Sequence, residues 1–166
     1  MKKKMRFSLF IIACSAAFLY SCSGSMNPSK LFVKKWQMAD FKSKAFDDQI
    51  AMMKQALDTT KDSMTRVYIQ DRLQAVPKMM DAMKKTVLTC NVDGTCDIAS
   101  PDMTGKVSST KGKWSLIDNG KKVVMSQDQH PTPDTLDIEE LTSDTLKVSV
   151  SDMKGGKTII TYKSVQ

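Results

Sequence analysis

Apolar positions change their period more than once along this chain. Residues 7–20 form an uncharged, mostly apolar run behind a basic tip, Met1-Lys2-Lys3-Lys4-Met5-Arg6. From residue 31 to 41 apolar and polar residues alternate, with Phe32, Trp36 and Met38 on one face, which predicts a first strand. Residues 43–85 step instead by three and four. Phe46, Ile50, Met53 and Leu57 make one stripe, and Ile69, Leu73, Val76, Met80 and Met83 make another. Both predict amphipathic helices. The residues between them, Asp58-Thr59-Thr60-Lys61-Asp62-Ser63, prefer caps to helix interiors, so a helical hairpin is expected. No Gly or Pro enforces that break, and one long helix is the alternative. Pro77 removes a backbone donor and is expected to kink or restart the second helix.

Beyond residue 85 the pattern is that of β-structure. Thr86-Val87-Leu88-Thr89-Cys90 and Thr95-Cys96-Asp97-Ile98 flank Val92-Asp93-Gly94, a three-residue loop with Gly at the left-handed position. That register sets Cys90 opposite Cys96 and Leu88 opposite Ile98. Asn119-Gly120 is a type I′ hairpin signal that aligns Trp114 and Leu116 with Met125 and Val123. A turn at Thr142-Ser143-Asp144 pairs Leu136 and Ile138 with Val150 and Val148, with Glu139 facing Lys147 on the outer side. Lys154-Gly155-Gly156 turns the chain once more, setting Val150 against Ile160 and Val148 against Tyr162. Successive hairpins that agree on their apolar side predict an antiparallel meander, curled into a barrel or packed on helices.

Charge and cysteine content add location. The formal charge is +7, but four of the 25 Lys and Arg lie in the basic tip, leaving 21 against 18 acidic residues. Both signs are interleaved, so no nucleic-acid stripe is present. The apolar run at 7–20 is shorter than the about 17–25 residues of a membrane-crossing helix, and has the anatomy of an export signal ending at Leu19-Tyr20-Ser21. Cys22 follows directly. Cys14 also follows an apolar triplet, but cleavage there would leave a minimal apolar core and a greasy Phe18-Leu19-Tyr20 on the mature end. Cys90 and Cys96 fit an oxidising compartment, and their facing positions predict a cross-strand disulfide. The alternative is two reduced, half-buried thiols acting as small hydrophobes. Two sulfurs do not complete a tetrahedral metal shell, so no metal site is expected.

Leu19-Tyr20-Ser21-Cys22 resembles the lipobox of bacterial lipoproteins, which implies that the Cys22 thiol carries lipid, palmitate among its acyl chains. Residues 1–21 are then the signal peptide and 22–30 a lipidated flexible tether. A second resemblance covers residue 31 to the end. Lys34-Lys35-Trp36, Asn91-Val92-Asp93-Gly94-Thr95, Gly112-Lys113-Trp114-Ser115-Leu116, Asn119-Gly120-Lys121-Lys122-Val123 and Ile138-Glu139-Glu140-Leu141-Thr142-Ser143-Asp144-Thr145-Leu146 occur in this order. Together they resemble the lipocalin-like domain of many Gram-negative lipoproteins. The resemblance implies a mainly β domain at 31–166, a small up-and-down barrel with a helical hairpin at 43–85 inserted after the first strand. That insert would plug or cover one barrel end. The tether lacks an acidic cluster of the kind that directs some lipoproteins to the cell surface, so the periplasmic face of the outer membrane is expected.

Candidate chemistry is sparse. His130 is the lone histidine, in Gln129-His130-Pro131-Thr132-Pro133, whose prolines predict an exposed loop. Glu139 and Glu140 point to opposite faces of a strand. Asp47-Asp48 suits the first turn of a helix. No phosphate loop, nucleophile elbow or metal-ligand spacing occurs, so neither catalysis nor a cofactor is expected. Methionines concentrate in the helical stretch. They read as packing between helices and sheet, or as an adaptable lid over an apolar ligand. Two functions follow from different classes. One is a carrier whose small apolar ligand touches Trp36, Met38, Met80, Met83, Trp114 and Leu116, the two indoles near the cavity floor. The other is an adaptor with a filled barrel that docks an envelope protein through its helices.

Overall fold

The computed structural model describes residues 27–128, 130–151 and 156–166. The expected signal, the expected lipid at Cys22 and the first part of the tether lie outside the described residues. The chain forms α1 (Pro28–Phe32), β1 (Lys35–Ser43), α2 (Lys44–Thr59), α3 (Ser63–Lys84), β2 (Val87–Cys90), β3 (Thr95–Pro101), β4 (Val107–Ile117), β5 (Lys122–Gln127), β6 (His130–Leu141), β7 (Thr145–Ser151) and β8 (Lys157–Val165). Strand order follows chain order, every neighbour is antiparallel, and β8 returns to β1 to close an eight-stranded barrel.

Up-and-down order sorts the connections into two groups. Helix α1 and the turns after β2, β4 and β6 gather at one end. The α2–α3 hairpin and the turn after β3 gather at the other. The first end is sealed by large rings. Phe32 and Trp36 are fully buried, and Phe32 lies on Trp114 with ring centroids 4.7 Å apart. Each indole N–H finds a carbonyl, Trp36 Nε1 donating to Phe32 O at 2.9 Å and Trp114 Nε1 to Asn91 O at 3.2 Å. Burying a ring that size without a partner for its polar tip would forfeit part of the gain. Around this plug pack Leu88, Val123, Leu146 and Val148.

Residues 31–34 are a correction. The alternation predicts strand from residue 31, but the chain makes a short helix over Pro28–Phe32 and enters β1 only at Lys35. Asn27 accepts from Ser29 N at 2.9 Å as N-cap, and Pro28 stands at the helix start, where its missing N–H costs nothing. The tether expected through residue 30 therefore ends as ordered helix. Trp36 sits four residues after Phe32, and its bond back to the Phe32 carbonyl folds α1 over the barrel end.

The helical hairpin forms as expected, with Asp62 as N-cap of α3, accepting from Thr65 N at 2.7 Å. Helix α3 passes through Pro77 without the restart expected there. Both early hairpins keep their predicted registers. Cys90 faces Cys96, Leu88 faces Ile98, Trp114 faces Met125 and Leu116 faces Val123. Positive φ at Gly94 (81°), Asn119 (55°) and Gly120 (83°) supplies the left-handed residues those turns need.

Later registers differ. A bulge between Ile138 and Glu140 sets Glu140 opposite Lys147, so Glu139 does not face that lysine. It takes Lys157 Nζ at 2.7 Å and Ser149 Oγ at 2.6 Å, and these partners hold its carboxyl below the usual range. Across the last hairpin Val148 pairs Ile160, Leu146 pairs Tyr162 and Val150 pairs Thr158, two residues away from expectation. The Pro131–Pro133 segment is strand rather than loop. Pro131 and Pro133 fall in the irregularity of the β5–β6 register between His130 and Asp134, where strand prolines are tolerated.

Two substitutions test the plug and the wall. Phe32→Ala should cost about 3–5 kcal/mol, read as a lower denaturant midpoint. Gly112→Ala would put a Cβ 2.0 Å from the Ser126 carbonyl oxygen, and should disrupt β4–β5 pairing, read as lost protection of those amides from exchange.

Candidate functional site: the barrel lumen

Inward alternation determines what fills the lumen at each level. At the sealed end the inward side chains are two indoles and Phe32. Farther along they are medium aliphatics, with Thr86 and Ser100 smaller still, their hydroxyls 3.1 Å apart. A cross-section set by the strands is not filled by those residues, and a cavity of about 220 Å³ results. Leu88, Ile98, Met125, Leu136 and Ile160 form its apolar wall. Tyr162 and Thr86 add hydroxyls, while Gln127 and Asp134 lie on the β5 and β6 segments that run toward the helix-bearing end. A closed antiparallel barrel of eight strands in chain order, sealed at one end and hollow in the lumen, decides the architecture. The fold is lipocalin-like.

No family model matches the chain, and no curated protein matches it. Among solved structures, a lipocalin-like protein from Bacteroides uniformis superposes with a TM-score of 0.47 at 12% identity, over 81% of this chain and 99% of that one. An uncharacterized protein from Bacteroides eggerthii gives 0.44 at 12% identity, over 80% and 98%. A de novo designed fluorescence-activating β-barrel gives 0.43 at 7%, over 84% and 98%.

The lipocalin-like lumen does not bring together the six residues expected to line it. Trp36 is inside the plug, and Met38, also buried, stands beside it on β1. Trp114 shows its outer edge to a groove with Val33, Val92 and Gly94, on the far side of the seal. Leu116 borders a shallow depression with Pro28 and Gly120. Met80 and Met83 are half-buried on α3, and no helix residue lines the cavity. The insert's main contacts with the barrel are with β1, β3 and β8. Neither indole lines the cavity; both belong to the buried cluster at the sealed end. The residues that surround the cavity were legible as inward-facing, yet alternation gives no signal of which level is left unfilled.

Cys90 and Cys96 are a second correction. They face each other as predicted, both buried, yet remain free thiols without the expected bond. The Cys90 N–H is directed to Lys34 O, just before β1, so Cys90 and Cys96 form a non-hydrogen-bonded pair, the closer kind. The correction concerns chemistry rather than register. Burial, with Cys96 nearby, pushes the Cys90 thiol up to about 12, so the thiolate that disulfide exchange requires is scarce. Tyr162 is pushed up to about 12 as well, first by burial and then by Cys90. Its hydroxyl has no hydrogen-bond partner among the described residues. No group of three or more His, Cys, Asp or Glu suited to a metal occurs among the described residues.

Raised values have a definite sign in folding. Between the ordinary value and the folded one, the unfolded chain has lost a proton that the folded protein keeps, so stability falls as pH rises. For Cys90 that window runs from about 9 to about 12, and for Tyr162 from about 10 to about 12. The urea midpoint should decline across this range, and Cys90→Ala should flatten the decline. In the folded state both thiols should react with an aromatic disulfide reagent at least about a hundredfold more slowly than in urea.

Proposed function

We propose that the protein is an extracytoplasmic, lipid-anchored carrier that holds a small apolar molecule in its barrel without transforming it. The single observation carrying this reading is the apolar lumen cavity of about 220 Å³ beyond the sealed end. Small barrels are either filled by their own side chains or hold one small ligand, and this one is partly unfilled. The anchor at Cys22 rests on the apolar run, the small residue before the cysteine and the basic tip. Only a few residues separate Cys22 from Asn27, which caps α1 at the sealed end. A tether leaving from there holds that end toward the bilayer and turns the cavity away from it, toward the periplasm on this reading. Several acyl chains on one cysteine give lasting attachment, whereas one gives only marginal binding.

One observation favours the adaptor as a second reading. Helix α2 has no buried residue and α3 only Ile69, although both are amphipathic. Met64, Val67 and Tyr68 follow one helical stripe and are 79%, 57% and 57% exposed. An envelope protein docked across that stripe would cover it.

Native mass spectrometry of protein purified from its own host separates the two. A co-purified small molecule in one-to-one ratio, lost in Leu136→Trp, is the expected result. A ligand-free barrel bound to a protein, with binding lost in Val67→Asp, would replace the carrier by the adaptor. Cys22→Ser should move the protein from the detergent to the aqueous phase on phase separation, and retention in detergent would sink the anchor.

A further inference from the structure

We propose that the lumen selects a small amine, with one ring or a short chain in the cavity and the cationic head beside Asp134 and Gln127. This inference rests on the carrier reading and adds the ligand's size and charge.

Size follows from volume. A cavity of about 150 Å³ lined by aliphatic and aromatic side chains holds benzene. At about 220 Å³ this lumen has room for a ring and two or three further atoms. Pockets for drug-sized ligands start near about 300 Å³, so a long acyl chain does not fit within it.

Charge follows from what stands at the polar end. Asp134 pairs with Met125 and precedes Leu136 by two residues, so it belongs to the inward face of β6, yet it is exposed. Alternation thus puts a carboxylate where the lumen meets solvent. An ionised carboxylate only accepts hydrogen bonds, and among the described residues Asp134 has neither an ion pair nor a side-chain donor. Gln127 beside it offers a carbonyl as a further acceptor. No Lys or Arg lines the cavity. A ligand carboxylate would meet Asp134 with no cation between them, a like-charge contact that disfavours binding. An ammonium group satisfies both acceptors while its apolar body enters the lumen. Deeper in, the unpartnered Tyr162 hydroxyl stays neutral over the physiological range and can bond a polar atom on the ring.

Titration calorimetry on the full-length protein in detergent tests this with 2-phenylethylamine, 2-phenylethanol and phenylacetate, near-isosteric probes differing in charge. The amine should bind about tenfold more tightly than the alcohol, as expected for hydrogen bonds to a charged group, and phenylacetate most weakly. Asp134→Asn should bring the amine within about twofold of the alcohol. Equal binding of amine and alcohol by the unmodified protein, or tightest binding of phenylacetate, would overturn the charge assignment. If the alcohol still bound and Leu136→Trp abolished it, the carrier reading would survive that failure. If none of the three bound, both would fall.

Discussion

Contact between Phe32 and Trp114, with Trp36 beneath them, is the constraint on which the rest of this barrel depends. An open cylinder of short strands exposes both the interior and the ends of its ladder. Here a five-residue helix delivers one aromatic ring onto a barrel indole at 4.7 Å. A second indole ties the helix back through the Phe32 carbonyl. The helix is too short to be stable alone and persists because its last residue is buried. The α2–α3 insert leaves the barrel at the opposite end. It packs against the flank formed by β1, β3 and β8, and the opposite level of the lumen stays unfilled.

How far this architecture was legible depended on how local its signals are. Val92-Asp93-Gly94 and Asn119-Gly120 specify turn geometry within three or four residues, and the registers on either side followed. The helical stripes and the Asp62 cap were equally local. Bulges were not legible. Those after Met38 and Ile138 each insert one residue, and opposite Met125–Gln127 β6 carries two extra; such insertions look like ordinary variation in sequence. The bulge near Glu139 displaced it from Lys147 and gave it to Lys157. Phe32 and Trp36 fit alternating strand positions, but a spacing of four also fits one helical turn. Asn27-Pro28 was the available clue, since it starts a helix well. The site was less legible than the fold, because cavities arise where neighbouring strands all contribute modest side chains at one level.

The helical hairpin shows the limit of amphipathicity as evidence. A stripe at helical spacing states that one face avoids water, without stating what covers it. Here α2 and α3 cover part of each other, yet α2 buries no residue fully and Met64, Val67 and Tyr68 remain outside. Arg72 lies 4.9 Å from the centre of the Tyr68 ring, a contact that screens one aromatic face but leaves the methionine and valine open. The concentration of methionine in this stretch, an oddity of composition, is therefore partly a surface property and not a lining of the lumen.

One feature of the wall bears on how anything enters. Among the described residues, pairing of β6 with β7 runs from Asp137 to Leu141, and the stretch of β6 that carries Asp134 and Leu136 is fastened to β5. Prolines within that stretch deprive it of donors with which to zip further. Among the described residues, the wall beside the hollow carries fewer cross-strand bonds than the wall around the aromatic stopper, so local opening is expected there first.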